Sequence, residues 1–141
     1  MFRTYGCEGI YVATASMEPT LPVDSHYFTD KLTYAFRAPR RGEVVMFDSP
    51  ADSEKGLVKR VVGLPGEKIR IEDKHVFING KELAEPYARY SRQDEILVGD
   101  NLEEKTIPED VFFLMGDNRD VSPQFFVNRA EIQGRLMNVL E

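Results

Sequence analysis

Leu57-Val58-Lys59-Arg60-Val61-Val62-Gly63-Leu64-Pro65-Gly66-Glu67 is the stretch that sets the fold class. Its aliphatic and cationic residues run unbroken to Gly63-Leu64-Pro65-Gly66, which closes them as a turn, so the segment reads as a strand. With a period of two, Leu57, Lys59 and Val61 share one face, and Val58, Arg60 and Val62 share the other. One of two adjacent cations must therefore point among aliphatic neighbours, which is costly unless something compensates. Burial disfavours the charged ammonium, so a lysine held in this way has a lowered pKa and can take a proton near neutral pH. Such a residue can activate a serine hydroxyl without histidine. The plain alternative is a lysine that snorkels its amine to water from a strand edge.

Outward from this strand the same short period recurs. Val44-Val45-Met46-Phe47 is entered from Arg41-Gly42 and ended by Asp48-Ser49-Pro50. Lys68 to Asp73 alternates charge with Ile69 and Ile71, Lys74 to Ile78 continues after a turn, and Asn79-Gly80 is a hairpin signal. Val111 to Met115 reads as a buried strand that delivers a loop at Gly116 to Asp120, and Ile132 to Val139 as a closing strand. A short helical turn is expected at Ser16 to Leu21 and a polar, irregular excursion over 81–110. No stretch longer than ten residues keeps a helical apolar period, so the chain is expected to be mostly β.

The 141 residues fit one domain, 1–141, with no repeat or linker inside it. Apolar residues at 42% suffice for a packed core. The net charge of -6 and the lack of any basic block argue against a nucleic-acid partner. Cys7 is the only cysteine and His26 and His75 the only histidines, so no disulfide within the chain, no multi-cysteine zinc site and no two-histidine metal spacing can be written; no metal or cofactor is expected. Val111-Phe112-Phe113-Leu114-Met115, the longest apolar run, is far short of the roughly 20 residues that span a bilayer, and the start does not read as a signal peptide.

Three places could carry chemistry. Lys59 is one. Ser16, in Ala15-Ser16-Met17-Glu18-Pro19-Thr20-Leu21, is a hydroxyl among small and turn-forming neighbours, where a helix cap or turn is the plain alternative. Gly116-Asp117-Asn118-Arg119-Asp120-Val121-Ser122 is a polar loop directly after a buried strand, and side-chain bonds from Asp117 and Asn118 to backbone would explain it as a tight turn.

Taken in order, these segments resemble type I signal peptidases, membrane-bound serine proteases with a Ser/Lys dyad. Ser16 to Leu21 resembles their nucleophile box, Arg41 to Phe47 the following strand box, Leu57 to Glu67 the general-base box, and Gly116 to Arg119 with Ser122 the last box. The resemblance covers nearly the whole chain. It implies a signal-peptidase-like fold of packed antiparallel sheets with a short helix. It also implies Ser16 as nucleophile, Lys59 as general base, an oxyanion hole of the Thr14 hydroxyl and the Ser16 N–H, and Ser122 as the residue that orients the lysine. Ile10, Val12, Leu21 and Val58 take the positions of shallow substrate pockets for small side chains, with ordinary core packing as their alternative. The implied partners are signal peptides of secreted preproteins and a membrane surface, with the catalytic domain on the extracytoplasmic face of the cell membrane.

The chain also departs from the family. After Ser122 the usual Asp-Ser-Arg segment is replaced by Pro123-Gln124-Phe125-Phe126-Val127, about four residues short, which shifts the expected bracing to Asp117, Arg119 or Asp120. The anchor that precedes the nucleophile box is absent, and Phe2-Arg3-Thr4-Tyr5 resembles the stretch just after it, so the start is expected to follow the span, a naturally soluble form being the alternative. Two other readings compete. A binding or assembly module of the same fold would dispense with Ser16 or Lys59, and both are here; a self-cleaving Ser/Lys repressor domain needs a cleavage loop and a DNA-binding segment, and neither is visible.

Overall fold

Glu54–Gly63 forms the longest strand of a computed structural model that describes residues 7–49 and 54–137. In chain order the strands are β1 (Cys7–Tyr11), β2 (His26–Asp30), β3 (Val44–Ser49), β4 (Glu54–Gly63), β5 (Lys68–Glu72), β6 (His75–Ile78), β7 (Lys81–Glu82), β8 (Leu102–Thr106), β9 (Val111–Met115), β10 (Phe125–Asn128) and β11 (Ile132–Leu136). They make two antiparallel sheets, one ordered β1-β2-β11-β3-β4-β9-β10 and one ordered β7-β6-β5-β8. The expected mostly-β class holds. Helix among the described residues is confined to single 3-10 turns, and none of them is long and apolar enough to cross a membrane.

Alternation along β4 distributes the core. Val62 joins Ile69, Ile71, Val76, Ile78, Ile107 and Phe113 in a cluster between the two sheets. Val61, one residue earlier, belongs with Val45, Phe47, Phe112 and Leu114 on the opposite side. Val58 leans on a third cluster built from Val12, Met17, Leu21, Val44 and Met46. Each fully buried side chain of this size contributes about 1.5–3 kcal/mol of transfer free energy, so β4 and its neighbours β3 and β9 are the stiff centre on which the site is mounted.

The small sheet follows the sequence closely. Asn79 and Gly80 both take positive φ, 52° and 83°, as a two-residue hairpin between β6 and β7 demands. The excursion over 81–110 holds β7 and β8 at its ends and a 3-10 turn at Val98–Asp100, while residues 83–97 are irregular. Ser16 to Leu21 forms turns, with the Leu21 N–H donating to Met17 O at 2.9 Å and the Glu18 N–H to Ala15 O at 3.1 Å. The closing strand ends at Leu136. Asn138 and Val139 of the expected strand, Pro50 and the Phe2 to Tyr5 stretch lie outside the described residues.

Candidate active site

Ser16 sits in the connection between β1 and β2, pinned from both sides. The Val12 N–H donates to Ser25 O at 2.9 Å and the Asp24 N–H to Val12 O at 2.8 Å, closing the loop at its base. Met17 and Leu21 plug into the third cluster, so a short loop with no regular structure has two buried anchors. Ser16 is left 9% exposed beside Met17, and its Oγ lies 3.2 Å from Thr14 Oγ1, a pair in which either hydroxyl can donate. Asn118 reaches across from the last box. Its N–H donates to Ser16 O and its Nδ2 to Ala15 O, both at 3.0 Å.

Lys59 and Arg60 are both buried, Lys59 at 5% exposure and Arg60 completely. One desolvated cation was expected here, and β4 carries two. Lys59 is paired with Val45 of β3 and its Nζ lies 6.0 Å from the Phe125 ring centroid, at the start of the strand that Ser122 leads into. Arg60 points to the other face. Its Nε and Nη2 donate to the two Asp117 oxygens at 2.9 and 2.8 Å, its Nη1 donates to Gly42 O at 2.7 Å, and the Tyr87 ring centroid lies 4.0 Å from its Cζ. Thr20 Oγ1 donates to the same Asp117 carboxylate at 2.6 Å, which ties the nucleophile loop to the base strand through one buried acid. Arg41 performs a similar service for the turn after β4. It forks onto Glu67 at 2.6 Å while Glu67 also accepts the Leu64 N–H, and although burial would raise the Glu67 carboxyl, the hydrogen bonds from Arg41 and Leu64 hold it below its usual value.

Gly116 is where the boxes meet. A Cβ there would fall 2.5 Å from Ser16 O and would collide with the Ser122 side chain, so only glycine lets these two serines approach the same backbone. The bracing expected from Asp117, Arg119 and Asp120 is present, and it comes largely from the excursion. Arg119 donates to Glu85 at 2.9 Å and to Gly116 O at 2.8 Å, and Arg89 and Asn118 form a parallel bridge. Asp120 accepts from Lys74 Nζ at 2.9 Å and from the Arg92 N–H at 2.7 Å. Tyr87, its hydroxyl donating to Glu85, is pushed well above its usual range by burial and by the Glu85 charge.

The structure thus gathers Thr14 with Ser16, Ser16 with Ser122 around Gly116, and Ile10, Val12, Leu21 and Val58 into or against one apolar cluster. Thr20, Arg60, Glu85 and Tyr87 are the site's supports that sequence reasoning did not assign to the site. Arg60 had a legible signal, since the alternation of β4 put it between Val58 and Val62 and so demanded a buried acid. Glu85 and Tyr87 had none. Among the described residues, no three His, Cys, Asp or Glu side chains are grouped to hold a metal ion.

Comparison with known proteins gives a consistent set of relatives. A family model described as "Signal peptidase, peptidase S26" matches residues 1–136. A protein named "Probable signal peptidase I-2" from Synechocystis is 34% identical over 143 residues, covering 94% of this chain and 62% of that protein. Signal peptidase I of Bacillus caldolyticus is 37% identical over 127 residues, covering 84% of this chain and 66% of the relative. The chain spans about two thirds or less of the length of these two relatives. A crystal structure of a signal peptidase I from Enterococcus faecalis superposes with a TM-score of 0.57 at 30% identity, covering 72% of this chain and 98% of that one.

Proposed function

The chain belongs to the signal peptidase family, peptidase S26, and on that premise we propose that it is the catalytic domain of a serine endopeptidase that removes N-terminal signal peptides from exported preproteins. The observation that supports this most is the convergence at Gly116, where the nucleophile loop and the last box touch while Asp117 joins both to Arg60, the residue next to Lys59.

Lys59, buried in the sheet, takes the Ser16 proton in its neutral form; Ser16 Oγ attacks the scissile carbonyl, and an acyl-enzyme forms. The oxyanion is met by the Thr14 hydroxyl and the Ser16 N–H. Lys59 then passes the proton to the departing amine and activates the water that releases the acyl group. Ser122 orients the amine. Ile10 and Val58, half-buried against the packed Val12 and Leu21, line the acyl side in this reading, where shallow aliphatic pockets take small side chains. Because Lys59 accepts a proton only when neutral, kcat/KM falls on acidification.

The enzyme works beside a membrane. Tyr11 and Phe28, on the hairpin whose connection carries Ser16, are exposed, as are Leu32 and Phe36 just after it, and large apolar side chains in water mark a contact surface. The catalytic domain stands on the extracytoplasmic face, where exported chains emerge, and with a net charge of -6 it meets lipid through apolar contact rather than through anionic headgroups. The first six residues, which belong to the same expected surface, lie outside the described residues.

Incubation with a preprotein whose signal ends in Ala-x-Ala, read by mass spectrometry, should give one cut at that junction. An uncut preprotein, or equal cutting by Ser16→Ala, rejects the proposal. Neutral lipid vesicles should raise the rate; equal rates with and without them reject the membrane contact alone.

A further inference from the structure

Beyond the last box lies a groove of about 580 Å³, framed by Leu97 to Leu102 on one side and Arg119 to Gln124 on the other. Ser122, placed above as the residue that orients the lysine, lines it. We propose that this groove receives the first residues after the scissile bond, the segment that becomes the new N-terminus, and that it favours aliphatic side chains there. The inference rests on the peptidase reading and adds to it a binding site on the leaving side of the cut.

The direction of the substrate follows from the chemistry. In the peptidase reading the acyl side lies against Ile10, Val12 and Val58, which join or flank the third cluster. The group that protonates the leaving nitrogen must stand on the side to which that nitrogen departs, within hydrogen-bond reach of it. In the peptidase reading that group is Lys59, and Ser122, which stands beside Gly116 close to the Ser16 carbonyl, is the residue that reading sets next to it. A chain entering past β1 and crossing Ser16 therefore leaves over Gly116 and Ser122, and the groove begins there.

The chemistry of the walls decides what the groove prefers. Most of its polar side chains are already occupied: Asp100 by Lys74 and the Leu97 N–H, Asp120 by Lys74 and the Arg92 N–H, Arg119 by Glu85, and Gln124 by Gly99 O at 2.6 Å. What remains to meet a ligand is largely aliphatic. Val98 is fully exposed at 103% and Val121 half-exposed, with Leu97 and Leu102 partly covered behind them. These valines stand on backbone that is held fast, because the Val98–Asp100 turn is fixed by Asp100 from inside and by Gln124 from across the groove. Gln124 belongs to the shortened connection after Ser122, so the groove in this form depends on that departure from the family pattern.

Two preproteins settle the matter, both with the same Ala-x-Ala signal end, one with Val and Leu over the first five residues after the cut and one with Ser there. Wild-type protein should cleave the aliphatic one with kcat/KM about 10-fold higher, the discrimination typical of a modest apolar pocket. In Val98→Ser/Val121→Ser, two surface changes that spare the core, the ratio of the two kcat/KM values should fall to near one. A wild-type ratio near one, or a ratio that the double variant leaves intact, overturns the groove while leaving the peptidase reading in place. Failure of wild-type protein to cleave either preprotein overturns both.

Discussion

On one face of β4, Arg60 is met at every polar atom that could be met cheaply, by the Asp117 carboxylate, the Gly42 carbonyl and the Tyr87 ring. One residue earlier and on the opposite face, Lys59 shares its side of the strand with Leu57 and Val61, and its Nζ lies 6.0 Å from the Phe125 ring centroid. Both cations are buried, Arg60 completely and Lys59 at 5% exposure, on opposite faces of the strand. A guanidinium stays charged at any ordinary pH and suits a fixed ion pair, whereas a buried ammonium is the more readily deprotonated of the two. The Arg60 face thus holds the boxes together, the Lys59 face is the one the proposed mechanism uses, and alternation along a single strand separates the two.

The comparison is tested most severely by exchanging each cation for a hydrophobe. Lys59→Met should lower turnover by roughly 10⁴-fold or more, as loss of a member of a catalytic unit does, while thermal melting followed by circular dichroism stays close to wild type. Ser16→Ala should behave alike. A melting loss in Lys59→Met as large as that of Arg60→Met would break the distinction. Arg60→Met strands Asp117 in the interior and should destabilise by about 3–5 kcal/mol, whereas Arg60→Met/Asp117→Leu should recover much of that in denaturant unfolding, since replacing a whole buried pair is far milder than breaking it.

A gentler version contrasts two threonines. Thr14→Val removes the hydroxyl proposed as an oxyanion donor and should lower kcat by about 10²–10³-fold, or about 2.7–4 kcal/mol, with little change in Tm; Thr14→Ser should retain activity. Thr20→Val removes the bond to Asp117 and should lower Tm first, by the equivalent of about 1.5–3 kcal/mol for a hydrogen bond to a charged group. Equal kinetic loss in both would place Thr20 on the reacting side of the comparison.

The smallest effect serves as a control far from both faces. Asp30, at the end of β2, is held down to about 2: burial opposes its ionisation, and bonds from the Thr33 hydroxyl, the Thr33 and Leu32 N–H groups and Arg135 outweigh that opposition. Its folded value lies below the unfolded one of about 3.9, so its stabilisation is complete above about pH 4 and is lost as pH falls towards 2. In a series of melts, the Tm gap between wild type and Asp30→Asn should narrow over that window. A gap that stays constant would show that the Asp30 charge contributes nothing.

How legible the site was depended on how local its causes are. The strands read at 44–47, 57–62, 68–73, 74–78, 111–115 and from 132 follow from alternation and turn residues within a few positions of each other; the structure has them all, with β3 running on to Ser49 and β4 beginning at Glu54. Strands β1, β2, β8 and β10 were not singled out as strands. β8 is almost wholly exposed and β10 only partly buried, so neither shows a buried alternation. Ser16 was only one loop hydroxyl until the order of the boxes gave it a context. Glu85 and Tyr87 looked like the start of an uninformative excursion, because their value comes from Arg119 and Arg60, 34 and 27 positions away along the chain.

The sequence by itself determined the β class, the pairing of a strand lysine with a loop serine as candidates, and the family resemblance, because each is written in residue types at short spacing. Tertiary structure alone decided that both Lys59 and Arg60 would be buried, that Asp117 would answer Arg60, and that Glu85, Lys74 and Gln124 would take over the bracing of a shortened last box. The physical reason is that the cost of burying a charge is fixed locally by the strand's alternation, while its compensation comes from whichever distant group the fold brings within about 3 Å.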